Sequence, residues 1–186
     1  MNHVTQEVLA AGLASIRESP KDEGVLNLIV RRPALEAREV LQLGQLDLVT
    51  GLVGDTWCTR GSSRTDDGTP HPDMQLNLMN SRVIALLAGH LEQWPLAGDQ
   101  LYVDLDLSAA NLPAGTQLAI GTAVIAVTDQ PHTGCKKFAA RFGLDALAFI
   151  SSPEGRSLNL RGINARVVRP GIVCVGDVVR KIGRAD

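Results

Sequence analysis

The sequence predicts a mainly β fold closed into a barrel, with a few short helices inserted. Two observations carry this. The apolar runs are short, several alternating with polar residues at the strand period, and most are punctuated by Gly- and Pro-containing turns. There is also no regular βαβ alternation and no Gly-rich phosphate loop, which argues against a doubly wound nucleotide-binding fold.

Taken in order, Val4, Val8, Leu9, Gly12 and Ile16 recur at helical spacing and predict an amphipathic helix over residues 5–18. Pro20 disfavours helix at Ser19 and ends it. Residues 1–24 are expected to form an N-terminal helical extension, and residues 25–186 the barrel domain. Residues 25–31 (VLNLIVR) read as a strand, and residues 36–43 as one or two helical turns. Residues 59–73 are the most polar stretch, with two Gly, two Pro and several Ser, Thr and Asp, and read as a long loop. Met74, Leu76 and Leu78 alternate with polar residues as a half-buried strand. Asn80 is placed to cap a helix that buries Val83, Ile84, Leu87 and Leu91.

Leu101, Val103, Leu105 and Leu107 alternate with Tyr102, Asp104 and Asp106, predicting an amphipathic strand. Residues 118–120 and 123–128 are further strands around Gly121, the second wholly apolar at its centre. Short helices are expected over 136–142, ended by Gly143, and over 145–150, followed by a turn at 151–155. Residues 159–168 contain a strand with Ile163, Ala165 and Val167 on one side. Residues 178–182 form the last strand.

The totals bound the function. With 186 residues, 45% of them apolar, the chain can bury a core, and at 3% aromatic that core is aliphatic. A net charge of −2 gives no electrostatic case for nucleic acid or an anionic membrane. No apolar run approaches the roughly 20 residues of a membrane span, and the N-terminus lacks the pattern of a signal peptide. Three separated cysteines, Cys58, Cys135 and Cys174, have no zinc-ligand spacing, so free thiols in a cytoplasmic setting are expected.

The chemistry concentrates in Thr128-Asp129-Gln130-Pro131-His132-Thr133-Gly134-Cys135-Lys136-Lys137-Phe138, a broken loop following an apolar strand. Positive charge favours a thiolate, so Cys135 reads as a reactive thiol beside Lys136. The competing reading is a small buried filler. His132 reads as a thiolate partner or proton donor, or equally as a hydrogen-bonded loop residue. Arg60 and Arg64 are candidate anion contacts or solvated loop arginines. Asp55, Asp99 and Asp177 sit in Gly-Asp turns and read as caps of local backbone.

Gly51-Leu52-Val53-Gly54-Asp55-Thr56-Trp57, Gly98-Asp99-Gln100-Leu101, the turn and strand from 112 to 127, and Pro131 to Cys135 come in this order. Arg161-Gly162-Ile163-Asn164-Ala165-Arg166-Val167, Pro170-Gly171 and Gly176-Asp177-Val178 complete the set. As an ordered set over residues 25–182 they resemble the MOSC domain, named for the C-terminal domain of molybdenum cofactor sulfurase. Pro131-His132-Thr133-Gly134-Cys135 stands where the family often carries Pro-Arg-x-Pro-Cys, and His71-Pro72-Asp73 near the place of a His-Gly-Gly segment.

The resemblance implies a pyruvate kinase-like β-barrel and a role around the molybdenum cofactor or activated sulfur. It makes Cys135 either a molybdenum ligand or the carrier of a persulfide. The cofactor phosphate needs cationic partners, for which Arg60, Arg64, Arg161, Arg166 and Lys136 are the candidates. In the first case the chain reduces N-hydroxylated or N-oxide small molecules, with Cys135 and His132 at the reaction centre and electrons from a separate redox protein. In the second it delivers sulfur or cofactor, with a cysteine desulfurase as partner. Pyridoxal phosphate then belongs to that partner and not to this chain.

Overall fold

The computed structural model describes residues 3–184. In chain order the elements are α1 (Gln6–Arg17), β1 (Glu23–Arg31), β2 (Glu39–Leu41), β3 (Leu43–Asp47), β4 (Gly51–Leu52), β5 (Leu76–Asn80), α2 (Ser81–Ala88), β6 (Leu101–Asp104) and β7 (Thr116–Ile120). They continue with β8 (Ala123–Val127), α3 (Lys136–Phe142), α4 (Leu144–Ser151), α5 (Pro153–Ser157), β9 (Ile163–Arg169), β10 (Gly171–Cys174) and β11 (Val178–Arg184). Single 3-10 turns lie at Thr56–Thr59 and Pro72–Met74, and a longer 3-10 segment at Leu91–Ala97.

Seven strands close a barrel in the order β1, β11, β7, β8, β9, β5, β6 and back to β1. All neighbours are antiparallel except β5 and β6, paired with Leu78 opposite Leu101. A parallel pair needs a crossover, which α2 and the Leu91–Ala97 segment supply. Strand β2 extends the barrel at β1, and β10, β3 and β4 form a small separate sheet.

Two apolar cores follow. The barrel interior holds Leu26, Ile29, Leu76, Leu78, Leu101 and Ile125 among others. A second core, between the barrel wall and the helices, holds Leu9, Leu28, Val30, Met79, Val83, Tyr102 and Phe138. A register shift between Leu26 and Leu28 lets β1 serve both: Leu26 and Ile29 point inward, Leu28 and Val30 toward the helices. Helix α1 packs on α2 and α4, and its Leu9 and Ile16 are buried in this second core.

The helical layer accounts for several departures from the pattern reading. Strand β5 is buried along its whole length rather than half-buried, and starts at Leu76, because both of its faces are covered. Tyr102, expected on a polar face, is buried and donates its hydroxyl to the Trp94 carbonyl at 2.8 Å. Residues 36–43 make no helical turn: Leu41 and Val40 pair with Ile29 and Val30, so tertiary hydrogen bonding overrides local propensity. Leu91 is half exposed at the start of the 3-10 segment. The expected turn at 151–155 runs into α5, whose first turn is capped by Ser152 Oγ accepting from Gly155 N at 2.9 Å. Asn80 caps α2 as expected, accepting from Arg82 N and Val83 N.

Candidate functional site

Where the helical layer meets the barrel, the segments leaving β1 and β8 converge with those entering β6 and β9. Asp99, just before β6, is fully buried, and both its carboxylate oxygens accept from Arg161 Nη1, at 3.0 and 2.8 Å. Arg161 Nη2 donates to the Ala97 carbonyl at 3.1 Å, and the guanidinium lies 5.0 Å from the centre of the Phe138 ring. Burial pushes the Asp99 carboxyl above its ordinary pKa, and the Arg161 charge and hydrogen bonds oppose it. His132 Nδ1 lies 3.5 Å from Asp99 Oδ1, shut off from solvent and without a hydrogen-bond partner among the described residues. Burial, then the charges of Arg161, Arg32 and Arg64, hold the His132 imidazole well below its ordinary pKa and therefore neutral.

A second buried pair lies beside the first. Arg32 donates to both oxygens of Asp55, Nε to Oδ2 and Nη2 to Oδ1, each at 2.8 Å. Its Nη1 donates to the Gly98 carbonyl at 3.0 Å and to Asn77 Oδ1 at 3.3 Å. Asn77 Nδ2 donates to Asn164 Oδ1 at 2.6 Å, and Asn164 Nδ2 to the Gln130 carbonyl at 3.1 Å. This chain of polar side chains ties the end of β1 to the cysteine loop, and its buried members are mutually satisfied.

Further guanidinium groups surround these pairs. Arg38 donates to the Pro95 carbonyl at 3.2 Å, and Arg141 to the Leu96 carbonyl at 2.7 Å and to Glu36 Oε2 at 2.6 Å. Burial, then the neighbouring charges of Arg141 and Arg32, lower the Arg38 pKa; partial burial and the Arg32 charge do the same to Arg60, which is otherwise exposed. Like charges held this close, with fewer carboxylates among them, make a site that favours an anion.

The predicted residues fall into three groups. Cys135 is exposed, unlike the half-buried Cys58 and Cys174, and immediately precedes α3; its sulfur has no hydrogen-bond partner among the described residues. Lys136 beside it is exposed. Arg60 and Arg64 come from the polar segment, which is not structureless: Thr65 Oγ1 donates to the Thr69 carbonyl at 2.6 Å, and Ser62 N to the Gly68 carbonyl at 3.2 Å. Arg64 Nη1 reaches the Pro131 carbonyl at 3.5 Å, which brings this segment against the cysteine loop. Arg161 is in the site but buried and engaged by Asp99, and Arg166 stands apart, more than half exposed and 3.5 Å from Asp73. Asp55 caps the backbone N–H of Trp57 at 2.9 Å as expected, but its main partner is Arg32. Asp99 is a charge partner across the fold and not a local cap. Arg32, Arg38 and Arg141 went unnoticed in the sequence; for Arg32 and Arg38 the one signal was their place at the ends of strands, and Arg141, inside α3, gave none.

Among the described residues, no three His, Cys, Asp or Glu side chains come together as a metal site. No helix among them is long and apolar enough to cross a membrane.

A closed seven-stranded mixed barrel carrying an arginine-rich site and an exposed loop cysteine defines a compact β-barrel module. Residues 66–180 match the MOSC domain, and the chain belongs to that family. Among solved structures it resembles the YUAD protein from Bacillus subtilis, with TM-score 0.62 and 17% identity over 84% of this chain and 94% of that one. It also resembles YiiM from Escherichia coli, with TM-score 0.55 and 21% identity over 87% and 71% of the two chains. For YiiM from Geobacillus stearothermophilus the TM-score is 0.51, at 15% identity over 88% and 74%. These likenesses establish the shared fold. No curated protein sequence matches. The match to the family begins after Arg64, so Arg32, Arg38, Asp55 and Arg60 lie outside it.

Proposed function

We propose that the arginine site and Cys135 together hold the molybdenum cofactor with which this family is associated. The observation that carries the reading is the meeting of two loops: Arg64 of the polar segment touches the loop that presents the single exposed thiol. The residues present fit such a group. Its phosphate calls for guanidinium partners, and Arg60 and Arg64, bound to no carboxylate among the described residues, supply them beside Arg38 and Lys136. A thiolate from Cys135 suits a sulfur-ligated metal.

When bound, the cofactor supplies oxygen-atom chemistry, and the reading assigns the chain to reduction of N-hydroxylated or N-oxide compounds. Converting N–OH to N–H consumes two electrons and two protons and releases water, so a separate redox protein is required as donor. The chain's own residues bind and orient. The arginines fix the anion, the buried pairs keep the site rigid, and neutral His132 holds or accepts a proton at its open nitrogen.

The exposure of Cys135 favours a second reading, a sulfur carrier whose thiolate attacks the outer sulfur of a partner desulfurase's persulfide and takes that sulfur as its own persulfide, while the desulfurase cysteine leaves as a thiolate. Metal and sulfur analysis of gently purified protein separates the two. Molybdenum near one equivalent, lost in Cys135→Ala, is the result expected. Cyanide-releasable sulfur without molybdenum would replace the first reading with the second.

A further inference from the structure

The His132 ring divides two environments. On its buried edge Nδ1 faces Asp99 Oδ1 at 3.5 Å, and Gly162 makes room for this approach. A Cβ on Gly162 would sit 3.2 Å from Nδ1 and 2.1 Å from the Leu78 carbonyl oxygen, and its φ of +105° disfavours any L side chain. The ring also lines a cleft of about 270 Å³, walled by Leu112, Pro113, Val127, Thr128, Asn159 and Ile163. Nε2 has no hydrogen-bond partner among the described residues and, unlike Nδ1, is not sealed from solvent.

A neutral imidazole carries one N–H. Paired with the Arg161 guanidinium through both oxygens, Asp99 as a carboxylate has no proton to give and can only accept from His132. With the proton on Nε2, the Nδ1 lone pair would face the carboxylate at a position closed to bulk solvent and be repelled. With the proton on Nδ1, the pair becomes a charge-assisted hydrogen bond after a small adjustment. Nε2 is then a bare acceptor on the unsealed side of a ring that lines the cleft.

We propose that this cleft binds a small neutral molecule that donates an N–H or O–H to His132 Nε2, with Asp99 as the positioning residue that fixes the tautomer. Naming that molecule a substrate rests on the reductase reading above, and the inference narrows that reading: an N-hydroxyl compound offers the donor, whereas an N-oxide offers only an acceptor. A site built around one hydrogen bond rejects the analogue that cannot make it.

The test uses metal-free protein labelled with ¹⁵N. Long-range correlation spectra at neutral pH should show His132 as the Nδ1–H tautomer. N,N-dimethylhydroxylamine should shift its Nε2 resonance saturably, and trimethylamine N-oxide should bind roughly tenfold more weakly or worse. His132→Phe, checked for folding by thermal unfolding, should erase the difference between the two probes. A ring protonated on Nε2, or an equal response to both probes, including none to either, overturns the proposal. Neither readout involves molybdenum, so their failure leaves the cofactor assignment standing, and loss of the cofactor assignment leaves them untouched.

Discussion

Asp99 holds Arg161 through both carboxylate oxygens, at 3.0 and 2.8 Å, across 62 residues of sequence, and the pair is almost entirely buried. Two charges removed from water at this depth stabilise the fold only while both are present. Asp99→Ala should therefore cost about 3–5 kcal/mol, since it strands a buried guanidinium. Replacing both residues with apolar ones of similar volume should recover a large part of that loss. Urea denaturation of the single and double variants measures both, and additive losses would show that the two residues do not act as a pair.

Arg60 and Arg64 should behave in the opposite way. They are exposed and bound to no carboxylate among the described residues, so Arg60→Ala and Arg64→Ala should leave thermal stability within about 0.5 kcal/mol of the parent. Each should nevertheless weaken molybdenum retention roughly 10- to 100-fold, from the loss of a charge-assisted bond of about 1.5–3 kcal/mol. Arg166→Ala, away from the site, should retain the metal in full. Full retention in all three variants would remove the loop arginines from the cradle.

Cys135 should alkylate faster than Cys58 or Cys174 at neutral pH. Cys135 is exposed, whereas Cys58 Sγ lies 3.8 Å from the Asp55 carbonyl within a 3-10 turn, and Cys174 is half-buried in β10. A labelling time course read by peptide mass decides the order, and modification of Cys58 first would contradict the accessibility seen here.

Two groups should shape the acid limb of stability. Burial alone would raise the Asp55 pKa, but Arg32 and the backbone N–H groups of Arg32 and Trp57 outweigh it and hold the carboxyl below its usual range. The unfolded chain therefore takes up this proton first. The stabilisation is complete above about pH 4 and lost as pH falls through the folded-state value. Neutral His132 acts with the same sign at higher pH: its stabilisation starts to fall below about pH 6.5, where the unfolded imidazole charges and the folded one does not. Asp55→Asn should flatten the stability curve below pH 4, and His132→Gln between pH 6.5 and the lower folded-state value. Chemical denaturation at a series of pH values reads both slopes, and unchanged slopes would mean these groups titrate alike in both states.

Much of the fold was legible in the chain because its determinants are local. Short apolar runs, Pro20, Gly121 and Gly143 as punctuation, and Asn80 ahead of a helical stripe all act through neighbours a few residues away, and together they specify a barrel of short strands with inserted helices. The loop carrying His132 and Cys135 was visible for the same reason: Pro131 and Gly134 interrupt a buried strand and put chemistry at its end. The charge pairing was not visible. Asp55 and Arg32 are 23 residues apart and Asp99 and Arg161 are 62 apart, and only closure of β1, β5, β6 and β9 brings them together. A Gly-Asp turn looks the same whether its carboxylate caps a backbone N–H or meets a guanidinium from another strand. The same limit hid the burial of Tyr102 and of all of β5, because a period of two records which faces of a strand differ and not whether a helix covers the second one.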